Sequence, residues 1–255
     1  MRIFSWNVNG FRAGVARGLM EWLLKEEPDM LCLQETRADP ASLPAEQRAP
    51  GGYASHWAVA ERAGYSGVAT FSQVPVSAWR TGLGIPRFDR EGRVVVAELG
   101  DIELYNVYVP SGARNLERFT YKLAFYDAFL DHIDARARAG KQIIFCGDLN
   151  AVRAPIDVAR PARGENIPGI RPEERAWVDR CIAHGWVDAF RALHPDARGA
   201  YTWWSTRGTL RAQNLGWRLD AVFVHESLLP RVQGAGIRAD VMGSDHCPVW
   251  LDIAL

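Results

Sequence analysis

The chain has 255 residues, of which 48% are hydrophobic and 24% are charged, as is ordinary for a globular protein with a sizeable core. Its formal net charge of +0 argues against a surface coated in positive charge. Nucleic-acid binding stays open, because a cluster of carboxylates at a metal site would mask a basic face elsewhere. The opening MRIFSWN enters a strand without the apolar stretch of a signal peptide, and no apolar run is long enough to span a bilayer. With four cysteines that form no CxxC pair, these features lead us to expect a cytoplasmic protein.

Short apolar runs bounded by Gly, Pro or charged residues predict the strands. In the first part of the chain they are Arg2–Val8, Asp29–Gln34, Tyr53–Val59, Ser66–Ser72, Val76–Thr81, Gly92–Leu99, Ile102–Val109 and a strand within Lys141–Asn150. Those between residues 53 and 109 are typical of an antiparallel meander. The last part adds WVDAF (186–190), AYTWWS (200–205), WRLDAVFV (217–224) and PVWLDIAL (248–255).

Apolar residues at helical spacing predict helices over Phe11–Glu27, Leu116–Ala139 and from Pro172 to about His184. Ala38–Gly52 is predicted as a loop with one helical turn at Leu43–Gln47, and Arg153–Arg171 as a long loop. No linker or repeat divides the chain, so we predict one domain over residues 1–255. Strands outnumber helices, which indicates an α+β fold with helix-covered sheets rather than a doubly wound parallel sheet.

Polar residues follow the buried strand in KQIIFCGDLN (141–150). The run Ile143 to Cys146 fits a strand buried on both faces, and Gly147 ends it. Asp148 and Asn150 come next. A carboxylate and a carboxamide there are badly placed for packing but well placed for a site at the mouth of a sheet. The alternative is that the two residues only cap a turn.

Other acidic, amide and imidazole side chains also lie at strand ends: Asn7, Glu35, Asp220, Asp245 and His246. Glu35, together with Asn9 and Asp245, could hold Mg²⁺, which prefers oxygen ligands and keeps several waters. Asp148 could remove a proton from a water molecule that Asn150 orients. These are the parts needed to hydrolyse a phosphoester.

An imidazole and a phenol complete the predicted site. Asp220 could hold the ring of His246, and the protonated ring would stabilise charge on a phosphate. Tyr108 could donate a hydrogen bond to the same phosphate. Asp220 also has a plain structural alternative, a buried pairing with its neighbour Arg218.

Nine motifs then follow one another in a recognisable order: WNVNGFR (6–12), LCLQET (31–36), YSGVATFS (65–72), EGRVVVAEL (91–99), YNVYVPSG (105–112), CGDLNA (146–151), AYTWW (200–204), NLGWRLDAVFV (214–224) and GSDHCPVWL (243–251). In this order and spacing the chain resembles the exonuclease III family of apurinic/apyrimidinic (AP) endonucleases, within the endonuclease/exonuclease/phosphatase superfamily. The resemblance covers the chain from end to end, and several motifs in register are far more specific than one.

The resemblance implies a four-layer α/β sandwich, in which two mixed β-sheets pack face to face with helices on both outer sides. It implies a Mg²⁺-dependent phosphodiesterase, with Mn²⁺ as a substitute, that acts as a monomer on double-stranded DNA containing abasic sites or blocked 3′ ends. The implied reaction is hydrolysis 5′ to the abasic site during base excision repair. Removal of 3′ blocking groups and 3′→5′ exonuclease activity are the implied related activities.

The resemblance also assigns individual residues. The phosphate and water side of the site is assigned to Asn7, Tyr108, Asp148, Asn150, Asp220 and His246, and the metal side to Glu35, Asn9 and Asp245. A pocket for an extruded abasic sugar is assigned to Trp203, Trp217 and Leu219, although such tryptophans are more often core residues. An abasic nucleotide has no base to unstack, so its extrusion costs little.

Basic residues outside these motifs could contact the DNA backbone. The candidates are Arg12, Arg114, Lys122, Arg207 and Arg211, of which the last two fall in a segment that enters a groove of the duplex in the family. Ser111 follows YVP where many members carry Asn or Gln. Because Ser is shorter, its contact to phosphate could be lost or mediated by water.

Two other functions stay open from the sequence. One is a phosphatase or phosphodiesterase for lipid or inositol phosphates, which would lack the pocket linked to WRLD. The other is a DNA-binding protein that has lost catalysis, against which the full set of acid, amide and imidazole positions argues. The number of metals, the balance of nuclease activities and the role of Asp148 as base or acid are also open.

Overall fold

The computed structural model describes residues 1–160 and 167–254. Within them the strands are β1 Arg2–Asn7, β2 Met30–Gln34, β3 Ala54–Ala58, β4 Val68–Ser72, β5 Ala78–Thr81, β6 Val94–Leu99, β7 Ile102–Tyr108, β8 Gln142–Asp148, β9 Trp186–Asp188, β10 Asp220–His225, β11 Val232–Ile237 and β12 Val249–Ile253. The α-helices are α1 Phe11–Ala16, α2 Leu19–Glu26, α3 Ala45–Arg48, α4 Pro86–Asp89, α5 Leu116–Arg138, α6 Pro172–Ala183 and α7 Ala189–Leu193.

The strands form two mixed sheets of six strands each. The strand order is β11-β12-β1-β2-β4-β3 in the first sheet and β5-β6-β7-β8-β10-β9 in the second. The pairs β1–β2 and β7–β8 are parallel, and the other described pairs are antiparallel. The two parallel pairs lie near the centre of their sheets, so the carboxyl ends of four central strands form one edge of the sandwich.

The two sheets share an apolar layer. Successive side chains of a strand point to opposite faces. In the first sheet Ile3 and Cys32 therefore point inward, where they meet Ile144 and Val222 of the second sheet. These four side chains are at most 4% exposed, which accounts for the near-continuous apolar runs in the sequence.

Helices cover the outer face of each sheet. Phe4 of β1 packs outward in a cluster with Leu23 of α2. Phe145 of β8 packs outward in a cluster with Phe129 of α5 and Trp177 of α6. The molecule thus has four layers, helix, sheet, sheet and helix, and the predicted α+β sandwich is confirmed.

A polar network crosses the apolar layer between the sheets. Gln34 of β2 donates from Nε2 to Asn106 Oδ1 of β7 at 2.8 Å and to Ser5 Oγ at 2.9 Å. Asn106 donates from Nδ2 to Thr70 Oγ1 and to the carbonyls of Leu33 and Ala69. All of these polar side chains are buried, and Gln34 Oε1 is the one atom of the Gln34 and Asn106 amides without a partner among the described residues. Buried hydrogen bonds of this kind favour one arrangement of the elements that they join.

Several element predictions need correction. The single helix predicted over Phe11–Glu27 is two helices, because Gly18 adopts φ +94° and turns the chain between them. The predicted meander is divided between the sheets, with β3 and β4 in the first and β5 to β7 in the second. The segment AYTWWS forms only isolated bridges, from Trp203 to Trp217 and to His246. Strand β11 was not predicted, because it contains Gly234 and Gly236 and glycine is depleted in strands.

The long loop predicted over Arg153–Arg171 is described in part. A 3₁₀ turn occupies Pro155–Asp157, and helix α6 begins at Pro172 as predicted. Residues 161–166 lie outside the described part of the chain. Among the described helices, none combines the length and apolarity needed to cross a membrane.

Gly147 is expected to tolerate no side chain. It pairs with Val107 in the parallel β7–β8 ladder at φ +150°, and a Cβ placed there would lie 1.8 Å from the Val107 carbonyl oxygen. We expect Gly147→Ala to lower the free energy of unfolding by about 3 kcal/mol, since the strands must separate to admit the methyl group. Urea denaturation measures this. Gly140→Ala is the control, because Gly140 has φ +88° but open space around it, so its cost should be only about 1 kcal/mol. Equal effects of the two substitutions would contradict the collision argument.

Candidate active site

The predicted polar residues meet at one edge of the sandwich because of strand register. Asp148 at the end of β8 is paired with Tyr108 on the parallel strand β7. On its other side Asp148 is paired with Asp220, the first residue of the antiparallel strand β10. In the other sheet, Asn7 ends β1 beside Gln34, which ends β2 and precedes Glu35. The sequence alone could not show that these two sets of strand ends face each other.

Three residues of the site have unusual backbone conformations. Asn9, Glu35 and Asn150 have φ values of +46°, +56° and +49°. Asparagine tolerates this left-handed region, but a glutamate there is strained and must be held by its surroundings. The Gly10 N–H donates to the Glu35 carbonyl at 2.8 Å and the Thr36 N–H to the Gly67 carbonyl at 3.0 Å, which holds Glu35 in place.

Asn7 links the two sheets at the site. Its Nδ2 donates to Asp148 Oδ2 at 2.9 Å and to Glu35 Oε2 at 3.1 Å, and its Oδ1 accepts from the Asn9 N–H at 2.9 Å. The side chain is fully buried. The hydrogen bond to Asp148 is the contact that the family resemblance implies for Asn7.

Asp148 is buried and held by amide donors. Besides Asn7, the Asn150 N–H donates to Oδ1 at 2.9 Å and Asn150 Nδ2 donates to Oδ2 at 3.1 Å. Burial and the nearby charge of Asp220 raise the pKa of Asp148 to about 7, against the opposing effects of His246 and these hydrogen bonds. A carboxyl group with a pKa near neutrality can both accept and release a proton at physiological pH.

His246 forms a buried pair with Asp220. The His246 Nδ1 lies 2.8 Å from Asp220 Oδ2, and its Nε2 lies 4.0 Å from Asp148 Oδ2. Burial opposes the charged ring, but Asp220, followed by Asp148 and Asp245, outweighs it and raises the pKa of His246 to about 10. The His246 ring is therefore a cation at neutral pH, and its Nε2–H lies on the side of Asp148.

The alternative pairing of Asp220 with Arg218 is wrong. Arg218, two residues before β10, binds Asp157 at 2.7 Å and Asp188 at 2.8 Å. Asp220 Oδ2 instead accepts from Thr202 Oγ at 2.6 Å as well as from His246.

Tyr108 is set up as a hydrogen-bond donor. Burial, followed by the charge of Glu35, raises the pKa of Tyr108 well above its ordinary value, against the opposing charge of Arg93. The Arg93 guanidinium lies 4.8 Å from the ring centroid and donates to the Tyr108 carbonyl at 2.9 Å. The phenol therefore keeps its proton.

The oxygen atoms predicted to hold a metal line one wall of the site. Asn9 Nδ2 donates to Asp245 Oδ1 at 2.9 Å, which leaves the Asn9 amide oxygen free for a ligand. His246, Asn9 and Trp203 outweigh the effect of burial and hold the pKa of Asp245 below its ordinary value. Glu35 forms an ion pair with Arg37. Carboxylate and amide oxygens suit a hard cation such as Mg²⁺.

A second set of ligand atoms lies beside this wall. Ligand atoms of Asp148, Asp220 and His246 lie within 4.8 Å of one another. Because a protonated imidazole has no free lone pair, the two carboxylates are the ligands that this set offers while His246 is a cation. Asp220 Oδ1 is buried and has no hydrogen-bond partner among the described residues, so it has a free acceptor. The site therefore fits a divalent cation, and both sets of ligands are candidates.

An apolar pocket adjoins these polar groups. A cavity of about 370 Å³ is lined by the predicted residues Asn9, Glu35, Tyr108, Ser111, Asp148, Asn150, Trp203, Trp217, Leu219, Asp245 and His246. The rings of Trp203 and Trp217 meet edge to face, with centroids 5.7 Å apart. Leu219 belongs to the same apolar cluster. One part of the lining is thus apolar, and the part that carries the acids and amides adjoins it, since Trp203 Nε1 donates to Asp245 Oδ2 at 3.1 Å.

The predicted DNA-backbone residues divide into three groups. Arg12, Arg114 and Arg207 are exposed, as is Ser111. The Arg211 guanidinium donates to the backbone carbonyls of residues 239, 241 and 244, so it holds the protein's own chain. Lys122 is fully buried against Glu174, and its prediction as a phosphate contact is wrong because DNA cannot reach it.

Some residues at the site were missed from the sequence. Arg37 and Gly169 also line the cavity, and Thr202 and Arg93 hold Asp220 and Tyr108. Thr202 and Arg93 lie inside the motifs AYTWW and EGRVVVAEL, and Arg37 directly follows LCLQET, so closer attention to these motifs could have found all three. Gly169 lies in a segment without periodicity and gave no signal.

Comparisons with known proteins agree with this geometry. A family model described as the Endonuclease/Exonuclease/phosphatase family matches residues 4–246. The chain is 40% identical over 254 residues to an exodeoxyribonuclease of Bacillus subtilis (strain 168), which covers 99% of both chains. It is 37% identical over 257 residues to a DNA-(apurinic or apyrimidinic site) endonuclease of Dictyostelium discoideum, covering 100% of this chain and 71% of that protein.

A solved structure gives the same result for the fold. A 3′ phosphatase, NExo, from Neisseria bound to product DNA hairpin superposes with a TM-score of 0.91 at 25% identity, covering 100% of both chains. The chain therefore belongs to the endonuclease/exonuclease/phosphatase family. Within it, the chain is a member of the exonuclease III group of AP endonucleases, and the predicted family and enzyme class are confirmed.

The charge on His246 can be tested without activity. In metal-free protein at pH 8 we expect the ring to be protonated, because its pKa of about 10 lies above that pH. Asp220→Asn removes the negative charge that contributes most to raising the His246 pKa. The pKa should therefore fall, and the ring should titrate at lower pH. Nitrogen chemical shifts of the imidazole measure the titration. Asp134→Asn, which removes the carboxylate beside the remote His184, is the control and should leave His246 unchanged. A neutral ring at pH 8 in the unsubstituted protein would show the assignment to be wrong.

Proposed function

We propose that this protein is a Mg²⁺-dependent DNA repair nuclease that hydrolyses the phosphodiester 5′ to an abasic site in duplex DNA. One observation supports this above all: a single cavity joins a wall of acids and amides to an apolar pocket. A phosphate at the polar wall would place the adjoining sugar against Trp203, Trp217 and Leu219. The exodeoxyribonuclease and AP endonuclease among its relatives favour the same reaction.

The divalent ion belongs to this proposal. Glu35, Asn9 and Asp245 would hold it on one side, and the buried oxygens of Asp148 and Asp220 could hold a second. When bound, Mg²⁺ would neutralise charge that develops on phosphate oxygens. Among the described residues the site has four carboxylates and two nearby cations, His246 and Arg37, so an added cation is electrostatically favoured.

The protein's own residues would move the protons. As a carboxylate, Asp148 accepts a proton from water, and as an acid it can return one to the leaving oxygen. Asn7 and Asn150 hold its orientation through either change. The Nε2–H of His246 and the phenol of Tyr108 donate to phosphate oxygens, where negative charge grows in the transition state.

The apolar pocket would supply selectivity for damage. A nucleotide without a base leaves the stack at little energetic cost, whereas a normal nucleotide must unstack its base and place it against the Trp203 and Trp217 rings. The same phosphate site would process blocked 3′ ends and act as a 3′→5′ exonuclease. The related 3′ phosphatase that was solved with product DNA favours the first of these activities. We propose that the protein acts as a monomer in base excision repair in the cytoplasm, beside DNA.

The alternatives are less well supported. A DNA-binding protein without catalysis would not need a buried acid with a pKa near 7 beside an imidazolium. A lipid or inositol phosphatase would not need the pocket of Trp203 and Trp217.

Metal-dependent incision is the direct test. With an abasic-site duplex we expect a nick 5′ to the lesion with Mg²⁺ and none after EDTA, because the acids alone would repel the phosphate. Asp148→Asn should lower kcat about 1,000-fold, since it removes the proton acceptor. Asp127→Asn, on the exposed face of α5, is the control and should cut normally. The proposal fails if EDTA has no effect or if Asp148→Asn cuts at the unsubstituted rate.

The pocket makes a separate prediction. Trp217→Ala removes the ring that packs against Trp203 and so enlarges the apolar pocket. The ratio of the rates on abasic and undamaged duplex should therefore fall about tenfold. Removal of a 3′-terminal phosphate should change less, because no sugar has to be extruded. Initial rates on the three substrates measure this. Trp250→Ala on β12 is the control, since that ring packs over Gly234 and Gly236 away from the cavity. Unchanged discrimination in Trp217→Ala would argue against a sugar pocket here.

A further inference from the structure

A buried ion pair lies directly behind the cavity wall. Lys122 of α5 and Glu174 of α6 are both fully buried, and the Lys122 Nζ donates to Glu174 Oε1. The same ammonium group donates to the Asn150 carbonyl at 2.7 Å and lies 3.4 Å from the Ser111 carbonyl. An ammonium has three protons, and here each has an acceptor.

Glu174 makes the corresponding contacts on its own side. Its Oε2 accepts from the Gly169 N–H at 2.6 Å and from the Arg171 N–H at 2.9 Å. Gly169 packs against Trp217, since a Cβ on it would lie 3.2 Å from that ring. The ion pair thus contacts the backbone of three separate loops, and Ser111, Asn150 and Gly169 each line the cavity.

The energetics favour a geometric role over a stabilising one. Desolvation of a buried ion pair consumes much of its attraction, so an apolar replacement of similar volume is often equally stable. Loss of one partner is different, because it leaves an unpaired charge inside the protein. The pair is well suited to holding backbone carbonyls and amides in fixed places, which an apolar pair cannot do.

We propose that the Lys122–Glu174 ion pair is a positioning element of the active site, which holds the loop of Asn150 at the correct distance from Asp148 and in register with the pocket wall at Gly169. Its effect on activity rests on the proposed nuclease function. Its effect on the loops does not, and the two can be measured separately.

The test uses a double variant that removes the charges but retains the volume. In Lys122→Met/Glu174→Gln the carbonyls of Ser111 and Asn150 lose their donor, whereas the glutamine oxygen can still accept from Gly169 and Arg171. Tyr126 continues to hold the next carbonyl, that of Leu149, at 2.7 Å. We expect the melting temperature to stay within a few degrees and amide hydrogen exchange to accelerate at Asn150 and Val152 but not along β8.

Kinetics give the second measurement. On the abasic duplex, kcat should fall about tenfold with KM within about twofold, because the catalytic amide is misplaced while the contacts that bind DNA remain. The control is Glu103→Gln/Arg136→Met, which neutralises the ion pair between the buried Glu103 and the partly exposed Arg136 at the opposite end of β7. It should leave kcat and the exchange at Asn150 unchanged.

Other outcomes would overturn the proposal. Unchanged exchange at Asn150 and unchanged kcat in the double variant would show that the pair positions nothing. Accelerated exchange throughout β8 together with a large loss of melting temperature would show a general structural role instead. If the unsubstituted protein does not cut abasic DNA, the proposed function fails, and the exchange measurement alone then decides the positioning role.

Discussion

The hydrogen bond from Gln34 to Asn106 determines how the two sheets meet. It joins β2 to β7 at 2.8 Å inside the apolar layer between the sheets. Apolar faces alone specify alignment weakly, since hydrophobic contact is not directional. Gln34 lies one residue before Glu35 and Asn106 lies two residues before Tyr108, so this one bond sets the first sheet's acid opposite the second sheet's phenol. A slip of either strand by one residue would turn its polar side chain to the other face and separate the two halves of the site.

The formal charge of zero does not describe the charge that a ligand would meet at the site. Arg218 is buried between Asp157 and Asp188, and Arg93 and Arg118 share Glu91. Arg218 therefore holds the protein together and is neutralised inside it, whereas Arg93 and Arg118 share a single carboxylate and lie at the lining of a cavity. A second cavity of about 510 Å³ adjoins the site and includes the exposed Arg114 on its lining. The balance of charge in the composition therefore conceals an acidic centre with basic residues beside it.

How much could be predicted depended on whether the decisive contacts were local in sequence. Asp148 could be found because a buried apolar run ends directly before it, and the register of neighbouring strands does the rest. Strand β11 was missed because Gly234 and Gly236 accommodate the ring of Trp250, a residue fourteen or more positions away. Lys122 was misassigned for the same reason: its partner Glu174 is 52 residues distant, and a lone lysine on a helix is normally solvated. The helix over Phe11–Glu27 was predicted as one because its periodicity continues through Gly18, whose left-handed conformation only the folded chain shows.

The choice of amides at positions 7 and 150 determines how many protons the site carries. Each amide donates from Nδ2 to Asp148 Oδ2, and Asn7 also donates to Glu35. An aspartate at either position would have the same shape but would place another carboxylate within hydrogen-bond distance of Asp148. Two such groups cannot both be ionised, so one would bind a proton and the pKa values of the pair would diverge. With amides at both places, Asp148 has no ionisable partner at either position, and its protonation depends on burial, on the charges of Asp220 and His246 and on the amide hydrogen bonds. The motif residues N-V-N and D-L-N thus specify protonation as well as shape.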